Sequence, residues 1–221
     1  MLELGIKVLI SYLLGSLNGS LILGKFKGVD IRASGSGNAG GTNALRTQGA
    51  LFAFFVMVID VGKGWLPVAL LPTMAIPGVP IDPDVSRTWL TLACGAAVIV
   101  GHCYPVWFNF AGGKGAATTL GVLIAIAPVL LLPAGITFVA VLVLTGYVGL
   151  ATMSAALAMP LWVAATDLAD SRPLFVFLTA LALFIVFTHR SNIQRLREGT
   201  ESRSERVMLF RRRKAERGDA S

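Results

Sequence analysis

The chain has 221 residues, 55% of them hydrophobic and 14% charged, with a mean hydropathy of +0.73. Soluble globular domains carry about 25% charged residues, so this composition excludes an ordinary water-soluble domain and points to an integral membrane protein built as one bundle. The net charge is +7, and the two cysteines, Cys94 and Cys103, share one apolar stretch, which argues against a disulfide framework or a zinc site.

A membrane-crossing helix needs ~20 mainly apolar residues, within a range of ~17–25. In chain order the first such block is 3–24, which lacks the basic start and small-residue cleavage site of a removable signal peptide. Further blocks follow at 50–72, 88–108, 117–144, 150–166 and 173–189. Lys25, Lys27, Arg32 and Arg46 crowd the loop after the first block, and residues 190–221 hold ten of the nineteen lysines and arginines. Positive charge near span ends marks the cytoplasmic side, so both segments belong there. That requires an even number of crossings between them, whereas six blocks leave an odd number. The tract 117–144 contains "APVLLLPAG", and Pro128, Pro133 and Gly135 predict a helical hairpin there. The expected fold class is therefore an all-α integral membrane protein of about seven transmembrane helices, N-terminus outside and C-terminus cytoplasmic. A single kinked helix over 117–144 is the alternative. The acidic loops "PGVPIDPDVS" and "TDLADSRP" then fall outside. The polar segments 25–49, 109–116, 145–152 and 189–203 gather on the cytoplasmic face. Residues 1–204 form one domain and 205–221 a basic cytoplasmic tail.

The first of these polar segments reads "GSGNAGGTNALR". Gly35, Gly37 and Gly40 fit the spacing of a dinucleotide-binding turn, but that turn needs a preceding strand and a βαβ unit, and here a membrane span precedes it. A flexible glycine-serine linker is a second reading. The third is an anion cradle: glycines let N–H groups approach, Ser36, Asn38, Thr42 and Asn43 add neutral donors, and Arg46 adds a bidentate fork. A helix opening in "TNALRTQGA" would add its positive N-terminal end.

The second segment, "GHCYPVWFNFAGGKGAATTLG", places Lys114 between Gly112, Gly113 and Gly115. It is not a Walker A loop, because Phe108 stands at the first glycine's place and Gly115 follows the lysine. It suits phosphate binding by backbone donors and one point charge, or a topology-setting lysine in a turn. His102, at membrane depth, is either functional or a satisfied structural histidine. In the third segment, "THRSNIQRLREGTESR", His189 and Asn192 are three apart and would share a helical face. Arg195, Arg197 and the "RRRK" at 211–214 read as groups for anionic lipid heads. Asp60 and Lys63, at i and i+3 inside the second span, read as an intramembrane ion pair rather than a proton relay. No metal-ligand cluster or Ser-His-Asp spacing is present, so the expectation is no metal and no cofactor. A transporter would show substrate groups at the midplane and repeated halves, and no repeat appears.

Five segments in order, "GSGNAGGTNALRT", "DVGKGWLPV", "GHCYPVWFNFAGGKGAATTLGV", "TGYVGLATM" and "HRSNIQRLREGTE", resemble the bacterial acyl-phosphate:glycerol-3-phosphate acyltransferases over nearly the whole chain. The resemblance implies a seven-span inner-membrane enzyme with its N-terminus periplasmic and its site facing the cytoplasm. It also implies transfer of a fatty acyl group from acyl phosphate to the 1-hydroxyl of glycerol 3-phosphate, giving 1-acylglycerol 3-phosphate and phosphate. Its partners would be those two substrates, the bilayer and the enzyme that forms acyl phosphate, with no nucleic acid. By the same resemblance Ser36, Arg46, His189 and Asn192 carry the catalytic site. Gly35, Gly37, Asn38, Thr42, Asn43, His102, Gly112, Gly113, Lys114, Gly115 and Thr152 would bind substrate, and Glu201 would be structural beside Asp60 and Lys63. Three positions depart from the family pattern: Ala111 stands for a lysine, Gly41 for an alanine and Gly149 for a serine. Either histidine, or an oxygen of the acyl phosphate itself, is open as the proton acceptor.

Overall fold

The computed structural model describes residues 1–166, 169 and 171–208. The loop "TDLADSRP" therefore lies partly, and the "RRRK" of the tail wholly, outside the described residues. Among those described there are ten α-helices and no strand. Four helical segments are long and apolar enough to cross a membrane, or six if each of two bent pairs is counted as one span.

The first bent pair is α1 (Leu2–Gly15) and α2 (Gly19–Lys27), which meet at 44°. The apolar block 3–24 is thus made of two helices rather than one continuous helix. The break comes at Ser16–Asn18, where Asn18 caps α2 by accepting the Leu21 amide at 3.2 Å and the Ser20 hydroxyl at 2.9 Å. A short helix, α3 (Gly41–Gln48), precedes the long α4 (Ala50–Leu70), and α5 (Arg87–Cys103) follows. The tract 117–144 is divided as the prolines predict. α6 (Ala116–Ile126) ends at Ala127, and Pro128 opens a 3₁₀ turn that runs into α7 (Leu131–Thr145). Proline cannot donate to the preceding turn, so it stops α6. With 11 residues α6 is about 16 Å long, roughly half a hydrocarbon core. α8 (Val148–Thr166) is followed by α9 (Arg172–Thr188) and α10 (Arg190–Arg197), which meet at 55°.

Small residues bring helices together where lipid offers no hydrophobic drive and contact distance decides the gain. α1 crosses α5 with Gly15 against the Val98 carbonyl and Gly101 against the Tyr12 carbonyl. α4 crosses α6 with Gly64 against the Thr118 carbonyl and Gly121 against the Val61 carbonyl. The largest core joins α5, α6, α8 and α9 through Ile99, Val122, Met159, Leu178 and Ile185. α7 buries only Pro133 and leans on α8, with Leu132, Ile136 and Val139 turned outward. These contacts bring the polar loops after α2, α5 and α9 to one end of the bundle.

Candidate active site

The first loop is braced from within. Asn43, buried in the first half of α3, accepts the Ser36 amide at 2.8 Å and donates to the Ile31 and Ser34 carbonyls at 2.9 and 3.0 Å. Gly35 adopts φ +63°, and a β-carbon there would meet the Asn43 side-chain oxygen. The loop is therefore neither a dinucleotide turn nor a limp linker. It also differs from a cradle of free amides: the Ser36 N–H is held by Asn43 and the Gly37 N–H by the Ser34 carbonyl at 3.2 Å. What faces the cavity is the Ser36 side, Asn38, Thr42 and the start of α3, with Arg46 exposed on its last turn. Gly37 does not line the cavity, and Asn43 acts as the loop's internal tie.

In the second loop the Gly112 and Gly113 amides donate to the Cys103 and His102 carbonyls, each at 3.1 Å. These two glycines do not line the cavity, and their N–H groups, expected from sequence as phosphate donors, instead finish the end of α5 in this structure. Gly115, at φ +91°, turns the chain into α6. Lys114 is aimed across the cavity: its ammonium donates to the Ser191 hydroxyl at 3.2 Å and to the Asn192 side-chain oxygen. Its carbonyl accepts the Thr188 hydroxyl at 3.0 Å. Burial, and then the neighbouring Arg195, push the Lys114 ammonium down to about 8.

His189 and Asn192 were expected on one helical face. They sit instead at the α9–α10 bend, His189 closing α9 and Asn192 in the first turn of α10, and both still face the cavity. The His189 Nδ1 lies 2.8 Å from the Ile185 carbonyl, so that nitrogen carries the hydrogen and Nε2 the lone pair. Asn192 donates to Glu201 at 2.7 Å, and Glu201 accepts from Arg195 at 2.6 Å. Arg195, read from sequence as a lipid-head contact, is thus part of the cavity wall. Its signal was its place three residues after Asn192. Arg32, outside the cavity lining, is paired with Asp30 at 2.9 Å and ties the first loop to the second by donating to the Phe108 and Ala111 carbonyls at 3.3 and 3.0 Å.

At the floor Asp60 and Lys63 form the expected ion pair at 3.1 Å, with His102 Nδ1 3.5 Å from the same carboxylate oxygen. Thr152 lines the opposite wall, where its hydroxyl donates to the Val148 carbonyl of its own helix at 2.9 Å. Asp60, His102 and Thr152 line the same cavity, of about 790 Å³, as Ser36, Lys114 and Asn192. One end is polar, with Ser36, Arg46, Lys114, His189 and Asn192. The other is apolar, with Leu123, Leu131, Phe138 and Met159, and runs toward the lightly packed α7.

A helical bundle of this hydrophobicity, with cationic and neutral donors at one end of a cavity and aliphatic walls at the other, defines a membrane protein that handles an anion together with an apolar chain. The family model described as glycerol-3-phosphate acyltransferase matches residues 5–199. The chain is 40% identical over 195 residues to a glycerol-3-phosphate acyltransferase of Geobacter sulfurreducens, covering 88% of this chain and 94% of that one. It is also 40% identical over 206 residues to one of Halalkalibacterium halodurans, covering 91% and 96%. Among solved structures it is similar to PlsY, an integral membrane glycerol 3-phosphate acyltransferase, in its glycerol 3-phosphate form. The TM-score is 0.78 at 34% identity, over 90% of this chain and 94% of that one. The chain belongs to the glycerol-3-phosphate acyltransferase family.

Proposed function

We propose that this protein transfers a fatty acyl group from acyl phosphate to the 1-hydroxyl of glycerol 3-phosphate, releasing 1-acylglycerol 3-phosphate and inorganic phosphate. The observation that carries the reading is the single cavity with a phosphate-type end and an aliphatic end, as a donor with one anionic head and one long chain requires. A second neighbour with a TM-score of 0.76, PlsY in its lysophosphatidic acid form, supports the product.

In this reading Ser36 and the start of α3 hold the phosphate of the donor. Arg46, Lys114, Asn192 and His189 hold the phosphate and hydroxyls of the acceptor, with Asn38, Thr42 and Thr152 completing the wall. Glu201 fixes Asn192 and Arg195. The acceptor oxygen attacks the acyl carbon, a carbon–oxygen bond forms, and the bond from that carbon to the phosphate oxygen breaks, its electron pair leaving with phosphate. The hydroxyl proton passes to a phosphate oxygen. His189 Nε2, left with its lone pair because Nδ1 faces the Ile185 carbonyl, accepts the hydroxyl's hydrogen bond and orients it toward the acyl carbon. Fixing two anions in line contributes on the order of 7–11 kcal/mol to the rate.

The lysines and arginines of 25–46 and 190–203 support a cytoplasmic site in a bacterial inner membrane, with α1 and α2 counted as one crossing, α6 as a short one and the N-terminus periplasmic. Residues 1–204 then make up the acyltransferase domain, and the enzyme that forms acyl phosphate is its supplier. Purified protein is to be assayed with glycerol 3-phosphate and, in turn, acyl phosphate, acyl-CoA and acyl carrier protein donors. Phosphate release and lysophosphatidic acid are expected with the first alone. Transfer from a thioester, or none from acyl phosphate, overturns the donor assignment.

A further inference from the structure

The break in the first span lies against both glycine loops, and three buried side chains fill the space between them. A helix interrupted inside an apolar bundle leaves backbone groups that need partners. Lys63 Nζ donates to the Gly15 and Leu17 carbonyls at 2.8 and 3.0 Å. Asp60 Oδ1 accepts the Gly19 amide at 3.0 Å. These contacts account for the ion pair and leave His102 over. Its Nδ1 and the second Asp60 oxygen are buried with no hydrogen-bond partner, an arrangement that costs free energy.

The other edge of the imidazole touches the site. The His102 carbonyl accepts the Gly113 amide, and a β-carbon at residue 113 would fall on the ring at Nε2. The same β-carbon would meet the Ala39 carbonyl at 2.7 Å. Ala39 in turn accepts a bond from Asn18, in the span break, at 3.2 Å. Ala39 belongs to the first loop, and Gly113 immediately precedes Lys114 in the second. The ring and the first loop thus both press on the second loop at Gly113.

Resting on the assignment of these loops to glycerol 3-phosphate, we propose that Asp60 and His102 are positioning residues of the acceptor site. The carboxylate faces the imidazole at 3.5 Å and fixes its place by charge rather than by a hydrogen bond, and the imidazole, packed against Gly113, sets the position of Lys114 relative to the first loop. Neither side chain takes the reacting proton.

The test uses the purified full chain in detergent, with His102→Gln, Asp60→Asn and, as a comparator, Glu3→Gln. Glu3 is as buried as Asp60 but pairs with Lys7 and Arg87 at the other end of the bundle. Calorimetry reads glycerol 3-phosphate binding without donor, and initial rates give kcat and both KM values. His102→Gln and Asp60→Asn are expected to weaken glycerol 3-phosphate binding and raise its KM by about tenfold or more, with the acyl phosphate KM within about twofold. Glu3→Gln should lower thermal stability and leave both KM values unchanged. Gly113→Ala, which presses a methyl onto an intact ring, should reproduce the rise in KM even if the other two variants fail to fold. Lost thermal stability in the two variants with KM unchanged overturns the proposal. So does a fall in kcat with KM unchanged, since that makes His102 the proton acceptor. Wild-type protein that binds no glycerol 3-phosphate overturns the functional assignment instead.

Discussion

Lys114 and Asn192, 78 residues apart in sequence, share a hydrogen bond from ammonium to carboxamide oxygen. The other end of that carboxamide donates to Glu201. Asn192 therefore stands between a cation and a carboxylate and keeps them from neutralising each other. Removing a bond to a charged group costs roughly 1.5–3 kcal/mol, so Asn192→Ala should lower kcat/KM for glycerol 3-phosphate by about 10- to 100-fold. Asn192→Asp should lose more, because its carboxylate would pair with Lys114 and repel Glu201. Initial-rate kinetics decide it: an Asp variant near wild type would remove Lys114 from the anion site.

The depressed Lys114 ammonium sets an alkaline limit. Its charged form is lost as pH rises through about 8 in the free protein, so KM for glycerol 3-phosphate should climb above that pH. The stability linkage runs the other way. Between that value and the ordinary lysine value of 10.5 the unfolded chain binds more protons than the folded one, so this group makes folding more favourable as pH rises. Alkaline loss of acceptor binding without loss of thermal stability is the expected signature. Lys114→Arg should move the limb in KM to higher pH, since arginine stays charged.

Arg46 is exposed on the last turn of α3 at the rim of the cavity. A planar fork at a rim can grip a phosphate through two parallel bonds, which a lysine cannot reproduce. Arg46→Lys should therefore cost about 10- to 100-fold in kcat/KM, the worth of one to two charge-assisted bonds. Near-normal kinetics would remove Arg46 from the phosphate clamp.

Most of the helices were legible because apolar length and charge placement act locally. α4, α5, α8 and α9 fall within a few residues of the expected blocks, and Pro128 marked the end of α6. The break at Ser16–Asn18 was not legible, because the groups that stabilise it, Asp60 and Lys63, arrive from another helix. The same holds for the site. Residue types suited to phosphate could be read from the loops, and the family resemblance ordered them. Residue type says nothing of where a peptide N–H points, so the inward-turned amides of Ser36, Gly37, Gly112 and Gly113 appear only in the fold. Arg195 looked like a headgroup contact because its partner Glu201 returns to it across a turn. The Asp60–His102 pair joins α4 to α5 and leaves no pattern along the chain.

The glycines that bring α4 onto α6 make the last prediction. A β-carbon on Gly121 would overlap the Val61 carbonyl, and one on Gly64 the Thr118 carbonyl. Both obstacles are backbone, so no rotamer change relieves them and the helices must separate. Overpacking of this kind costs roughly 1–3 kcal/mol. α6 starts at Ala116, directly after the Lys114 loop, so its displacement also moves the lysine. Gly121→Ala and Gly64→Ala should thus lower thermal stability in detergent and raise KM for glycerol 3-phosphate together. Gly62→Ala, where a β-carbon meets nothing within 4 Å, should change neither. If Gly121→Ala is as stable as Gly62→Ala, the close α4–α6 crossing is not what holds the second loop in place.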